Sequence, residues 1–212
     1  MRKTKIICTL GPSTDKGDVL EQLMLSGMNV ARLNFSHDTY ENQKKRIDKV
    51  KALRTKHNLP VACLLDTKGP EIRLKTFKDE RVTLEMGQDF CLTTRDVEGT
   101  KDIVSVTHKD FHKDIHVGSS ILIDDGLVGL NVVAFKGQDI HCKVENGGSI
   151  SNRKGVNIPG VELSIPFMSE KDKEDLLFGI KQDVDFVAAS FTRTADEIKE
   201  MKAFLKANGG ED

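Results

Sequence analysis

V-A-R-L-N-F-S-H, residues Val30 to His37, is the stretch whose reading decides the fold. In an extended strand, side chains alternate between two faces. Arg32, Asn34 and Ser36 then share one face. Ala31, Leu33 and Phe35 share the other, which a covering helix can bury. One row offers a fixed cation and two oxygen ligands running up to a strand end. An α/β barrel presents a small anionic substrate in that way. A second stretch, D-T-K-G-P-E-I-R from Asp66 to Arg73, follows the buried run Val61 to Leu65 and supplies the other half of a site.

On the N-terminal side, Lys5 to Leu10 reads as a short apolar strand and Gly11-Pro12-Ser13 as a turn. Thr14 to about Met28 reads as a helix, with Val19, Leu20, Leu23 and Met24 on one stripe and Gly27 as its stop. After the Arg32 strand, Asp38 with Glu41 reads as a capping box. The helix it opens runs to about His57, with Ile47, Val50 and Leu53 facing inward. Pro60 opens the strand Val61 to Asp66. Short connections and continuously apolar strands in the order β-α-β-α-β predict a parallel sheet covered by helices.

Beyond Arg73 the period changes to two. Val82, Leu84 and Met86 alternate, as do Phe90 and Leu92, and Ile121 to Ile123, Leu127 to Phe135 and Ile140 to Val144 are further strands. Asp124-Asp125-Gly126, Lys136-Gly137-Gln138 and Asn146-Gly147-Gly148 separate them as turns. The β/α pattern resumes at Ser169, which caps a helix holding Leu176, Leu177 and Ile180. Asp185 to Phe191 is a further buried strand. Thr194 with Glu197 opens a helix carrying Ile198, Met201, Phe204 and Leu205, stopped by Gly209-Gly210. The predicted fold is α/β: a partial (β/α) barrel with about four strands, near residues 5, 30, 61 and 185, and an inserted all-β barrel domain. The barrel domain spans 1–73 and 167–212, and the insertion spans 74–166. A complete eight-stranded barrel takes about 250 residues, so this sequence reads as the first half of one.

Bulk properties exclude several classes. The 212 residues carry a net charge of −1, so no whole-chain field draws in nucleic acid or a membrane surface. No apolar run approaches the roughly 20 residues of a membrane helix. The N-terminus does not read as a signal peptide. Cys8, Cys63, Cys91 and Cys142 form no C-x-x-C pair and sit among apolar residues. Reduced, buried thiols in a cytoplasmic protein are expected, and nothing nearby would activate one as a nucleophile.

Arg32 carries a planar fork of donors that matches a phosphate; its alternative is a pair with a barrel carboxylate. Asn34, Ser36, Asp66 and Thr67 supply only oxygen, which selects a hard ion. One carboxylate suits a monovalent cation better than Mg²⁺; the alternative is a hydrogen-bond network in a barrel mouth. His37, Arg73 and Lys154 could meet a polyphosphate from separate elements, or could be solvated surface charges. Asp124-Asp125 is read as a turn. His108, His112 and His116 recur every four residues, but no carboxylate or cysteine completes a ligand set.

V-A-R-L-N-F-S-H and L-L-D-T-K-G-P-E-I-R together resemble the paired signatures of pyruvate kinases. K-T-K-I-I-C-T-L-G-P at Lys3 to Pro12, I-D-D-G-L at Ile123 to Leu127, and K-G-V-N-I-P-G at Lys154 to Gly160 fit the same family in the same order. The resemblance implies phosphoryl transfer from phosphoenolpyruvate to ADP, giving pyruvate and ATP, the last step of glycolysis. It implies that Arg32 binds the phosphoryl group and that Asn34, Ser36, Asp66 and Thr67 hold K⁺. Asn34, His37, Arg73 and Lys154 become nucleotide contacts, and Glu71 matches the form associated with K⁺ dependence. The family's catalytic lysine and Mg²⁺ ligands are expected beyond Asp212. No catalytic residue is therefore assigned within the sequence, and the chain alone is expected to be inactive. The β insertion is expected to act as a lid, and the full-length protein as a cytoplasmic homotetramer with no nucleic-acid or membrane partner. Two other readings stay open: another barrel enzyme of the phosphoenolpyruvate/pyruvate class, and a non-catalytic β module.

Overall fold

A computed structural model of the chain describes residues 3–210. The elements begin with β1 (Ile7–Thr9), α1 (Val19–Leu25), β2 (Val30–Asn34), α2 (Tyr40–His57) and β3 (Ala62–Asp66). An all-β run follows: β4 (Ile72–Arg73), β5 (Arg81–Leu84), β6 (Asp89–Thr93), β7 (Ile103–Ser105), the short α3 (Phe111–Asp114), β8 (Ser120–Ile123), β9 (Val128–Lys136), β10 (Asp139–Asn146), β11 (Gly148–Ser151) and β12 (Gly155–Asn157). The chain then forms α4 (Glu170–Lys181), β13 (Phe186–Ala188) and α5 (Ala195–Ala207). Two compact units result: the chain up to Pro70 with the chain from Pro166 on, and Glu71–Ile165.

The first unit holds a four-stranded parallel sheet in the order β1-β2-β3-β13. Ala31, Leu33, Cys63 and Leu65 are fully buried and pack with Ile47 and Val50 of α2, Leu20 and Met24 of α1, Leu176 of α4 and Met201 of α5. The alternation read in Val30–Phe35 thus sends one face under helices. The first helix is shorter than its apolar stripe predicts. Thr14 turns back on the Gly11 carbonyl and Gly17 takes a φ of 50°, so residues 11–18 are spent in turns. The cap of α2 also differs from the expected Asp38–Glu41 box. Asp38 is left-handed, with φ 75°, and Thr39 is the N-cap, accepting from the Asn42 N–H. Glu41 instead pairs with Lys45. Both α4 and α5 carry reciprocal capping boxes, Ser169 with Asp172 and Thr194 with Glu197.

The second unit is a seven-stranded sheet in the order β4-β12-β8-β9-β10-β6-β7, with β11 and β5 as a separate pair. Its two outer strands meet. Leu74 bridges Val106, the Thr107 N–H donates to the Arg73 carbonyl at 2.9 Å, and the Lys75 N–H donates to the Ser105 carbonyl at 2.8 Å. The sheet therefore closes on itself as a small barrel, which removes its open edges. Phe111, Ile121, Leu130, Ile140 and Leu92 fill its core. Met86 falls outside the expected alternation: it lies past the end of β5 and is 80% exposed. Asp124, Asp125 and Gly126 are all left-handed in a tight turn closed by the Leu127 N–H on the Asp124 carbonyl. The three histidines do not share a helix face. His108 bonds Asp114, His112 bonds Thr94, and His116 bonds the Val117 carbonyl. The chain is thus α/β, a partial (β/α) barrel with an inserted all-β barrel.

Candidate functional site

In the first unit, the C-terminal ends of β2 and β3 carry the predicted residues side by side. Asn34 and Asp66 are register partners on adjacent parallel strands. Arg32 Nε donates to Asp66 Oδ2 at 2.8 Å, Nη2 donates to the same oxygen, and Nη1 donates to Thr9 Oγ1 at 2.7 Å. Ser190 Oγ donates to Asp66 Oδ1 at 2.7 Å. The carboxylate pair read as one alternative for Arg32 is therefore present. These bonds use three of the five guanidinium hydrogens and fix the plane of the fork, with the Arg32 side chain still 33% exposed.

Thr67, 2% exposed, donates to the Ala188 carbonyl at 3.2 Å and accepts from the Ser190 N–H at 3.2 Å. Asn34 Oδ1 accepts from the Ser36 N–H at 2.9 Å. Asp66 Oδ1, Thr67 Oγ1 and Asn34 Oδ1 each retain acceptor capacity after these bonds. With Ser36, in the turn past β2, these residues could offer a cation only oxygen, and their one carboxylate is already paired with Arg32. That chemistry fits a monovalent ion and does not fit Mg²⁺. Among the described residues, no three His, Cys, Asp or Glu side chains are grouped to hold a metal.

The turn after Thr67 requires its glycine. Gly69 has a φ of 64°, and a Cβ there would lie 2.4 Å from the Ser190 carbonyl oxygen. Its N–H donates to Asp172 Oδ1, the same carboxyl group that caps α4. The K-G-P step of the motif thus lets the β3 exit pass close to the β13 exit. His37 is exposed, and its carbonyl accepts from Gln43 Nε2.

The two other predicted cations belong to the inserted unit. Arg73 and Gly155 are register partners on β4 and β12, and the Leu74 N–H donates to the Lys154 carbonyl at 2.8 Å, so the two residues lie on adjoining backbone segments. Arg73 Nε donates to Glu71 Oε1 at 2.7 Å and Nη1 donates to the Arg153 carbonyl. The hydrogen bond to Glu71 raises the Arg73 pKa, so its charge is secure. Lys154 Nζ pairs with Asp124 at 2.8 Å. Glu71 and Asp124 are the local counter-charges that an anion would have to displace.

Thr9, Ser190 and Gln43 were missed in the sequence. Thr9 ends β1 and Ser190 lies two residues past β13. A polar residue at a strand exit was the signal for both. The four cysteines are free thiols, with burial pushing Cys63 up to about 11 and Cys142 up to about 12. Among the described residues, no helix is long and apolar enough to cross a membrane.

The family described as "Pyruvate kinase, barrel domain" matches residues 1–211. A pyruvate kinase from Sporosarcina psychrophila is 47% identical over 215 residues, covering 99% of this chain. One from Staphylococcus aureus strain USA300 is 46% identical over 208 residues, covering 97%. The chain spans about 36% of the length of each of these relatives. By fold, by motif and by this match, the chain belongs to the pyruvate kinase barrel-domain family.

Proposed function

We propose that this chain supplies the phosphoryl-binding and cation-binding part of the reaction in which phosphoenolpyruvate passes its phosphoryl group to ADP, giving pyruvate and ATP. The observation that carries the reading is the Arg32–Asp66 pair, set among Asn34, Ser36 and Thr67 at adjoining strand ends. Asp66 and Thr9 hold the guanidinium plane, and its two remaining hydrogens bind the phosphoryl oxygens as a fork. Asn34, Ser36, Asp66 and Thr67 hold K⁺, which when bound supplies a fixed positive charge beside the transferring group. Asn34, His37, Arg73 and Lys154 contact the nucleotide. Glu71 and Asp124 keep Arg73 and Lys154 in place until polyphosphate displaces them. The inserted barrel acts as a lid that keeps water from the transfer. Turnover in this reading also needs the Mg²⁺ ligands and the lysine that the resemblance assigns to no residue of this sequence. The 212-residue chain therefore binds substrate without turning it over. Homotetrameric assembly of the full-length protein and a cytoplasmic setting complete the reading.

The test is phosphoenolpyruvate titrated into the chain in KCl, followed by phosphorus NMR. The parent is expected to broaden and shift the phosphate resonance. Arg32→Met should weaken binding by about tenfold or more, and Arg32→Lys, which keeps charge but loses the fork, should fall between. Absence of binding by the parent, or equal binding by Arg32→Met, would overturn the proposal.

A further inference from the structure

Two buried side chains of α2 do work that neither the core nor the phosphate reading explains. Gln43 is 3% exposed and Arg46 is 6% exposed, one turn apart on the same helix face. Gln43 Nε2 donates to the Asn34 carbonyl at 2.9 Å and to the His37 carbonyl at 3.2 Å. Its Oε1 is buried with no hydrogen-bond partner among the described residues. A leucine would fill the same space without that orphaned oxygen. What the amide adds is its pair of N–H donors, and both end on the backbone of one short loop.

Arg46 extends the same pattern. Its Nη1 donates to Asp38 Oδ2 at 2.7 Å, while Nη2 and Nε grip both oxygens of Asp15 at 2.7 to 3.2 Å. Asp15 belongs to the connection after β1, and Asp38 to the connection after β2. A buried guanidinium shared by two carboxylates is weak support for stability, because desolvation offsets most of the attraction. It is strong support for one geometry. Asp38 itself sits in the left-handed region, a conformation that a non-glycine residue keeps only when its surroundings impose it. Asn34, Ser36 and His37 lie within or at the ends of the segment that Gln43 and Arg46 pin.

We propose that Gln43 and Arg46 are positioning residues: they hold the Asn34–Asp38 backbone so that the Asn34 and Ser36 oxygens can join Asp66 and Thr67 around one monovalent cation. The inference rests on the cation reading given under Proposed function and assigns that site its support. Neither residue touches the ion, so their role is exerted through the loop.

The test uses the purified 212-residue chain, with its unfolding midpoint followed in KCl and in tetramethylammonium chloride at equal ionic strength. A cation that binds only the folded state raises the midpoint as its concentration passes its dissociation constant. The parent is expected to respond to K⁺ and not to the bulky ion. Gln43→Leu and Arg46→Met are expected to fold but to need about tenfold more K⁺ for the same rise. Arg46→Lys, which can hold one carboxylate and not both, is expected to lie between. Should Arg46→Met fail to fold, Gln43→Leu carries the test. Amide hydrogen exchange gives the second readout. Exchange at Ser36 to Thr39 should quicken in Gln43→Leu while β3 stays as protected as in the parent. Variants that respond to K⁺ as the parent does, or a loss of protection spread evenly over the unit, would overturn the positioning role. A parent with no K⁺ response would overturn the cation reading beneath it, which is a separate and distinguishable failure.

Discussion

The sheet of the inserted unit returns on itself through Leu74 and Val106, whereas the parallel sheet ends on β1 and β13, whose outer edges have no strand partner among the described residues. Buried polar groups follow the same division. In the closed barrel, Thr93 and Ser105 are fully buried and bond to Asp139 and to the Arg95 carbonyl, stitching local turns. In the open sheet, Asp66 and Thr67 are buried at strand ends and bond to groups from β2, β13 and their exits. A closed sheet uses its polar burial to finish itself. A parallel sheet collects polar groups at one end, because every strand exits on the same side.

The largest effects should separate the two cores. Leu130→Ala in the closed barrel and Leu33→Ala in the open sheet each remove a side chain with no exposed surface. Each is expected to cost about 2–5 kcal/mol in urea unfolding. Amide exchange should rise first in the unit that carries the change, and an equal rise in both would break the comparison. Gly69→Ala comes next. A positive φ and a backbone oxygen 2.4 Å from the new Cβ are expected to cost about 2 kcal/mol or more. Loss of the Ser190 N–H bond to Thr67 Oγ1 should show as faster exchange at the Ser190 amide.

A smaller effect on stability, but a visible one on association, is expected at the open edge. Phe186 of β13 is 57% exposed, and unpaired strand edges template pairing with other chains. Phe186→Lys should lower self-association in sedimentation while changing stability by under about 0.5 kcal/mol. Unchanged association would mean that the edge is not the adhesive surface. The smallest effect is a pH slope. Hydrogen bonds from the Asn42 amide and the Thr39 N–H, with Arg46 beside them, hold Asp38 down at about 2 against an ordinary 3.8. A carboxyl depressed in the folded state contributes stability above its unfolded pKa and loses it as pH falls through the folded one. The chain should therefore weaken between about pH 4 and pH 2, and Asp38→Asn should flatten that part of the curve.

Much of the parallel half was legible in the sequence, because burial there is a local pattern. Val30–Phe35 alternates, and the residues it marks as inward are the ones with almost no exposed surface. The inserted domain reads as a barrel from its size, its period of two and its turns, but the seam that closes it was not legible. It depends on Leu74 meeting Val106 across a long stretch of chain, and β4, β7 and β12 are two or three residues long, too short to show a period. The candidate site divides in the same way. The shared face of Arg32 and Asn34 follows from period two, whereas Ser36 lies in the turn past β2. The Arg32–Asp66 pair depends on inter-strand register, which no single strand encodes. The expected Asp38 cap failed because Asp38 spends its side chain on Thr39, Asn42 and Arg46 instead.

The central claim is that one guanidinium and one monovalent-cation nest converge at the ends of β2 and β3. Crystals of the chain grown with thallium(I), a heavy stand-in for K⁺, test it most directly through anomalous scattering. The account predicts a single strong peak bounded by oxygens of Asn34, Ser36, Asp66 and Thr67, with the Arg32 guanidinium still on Asp66. A peak elsewhere, or none there at saturating thallium(I), would contradict it.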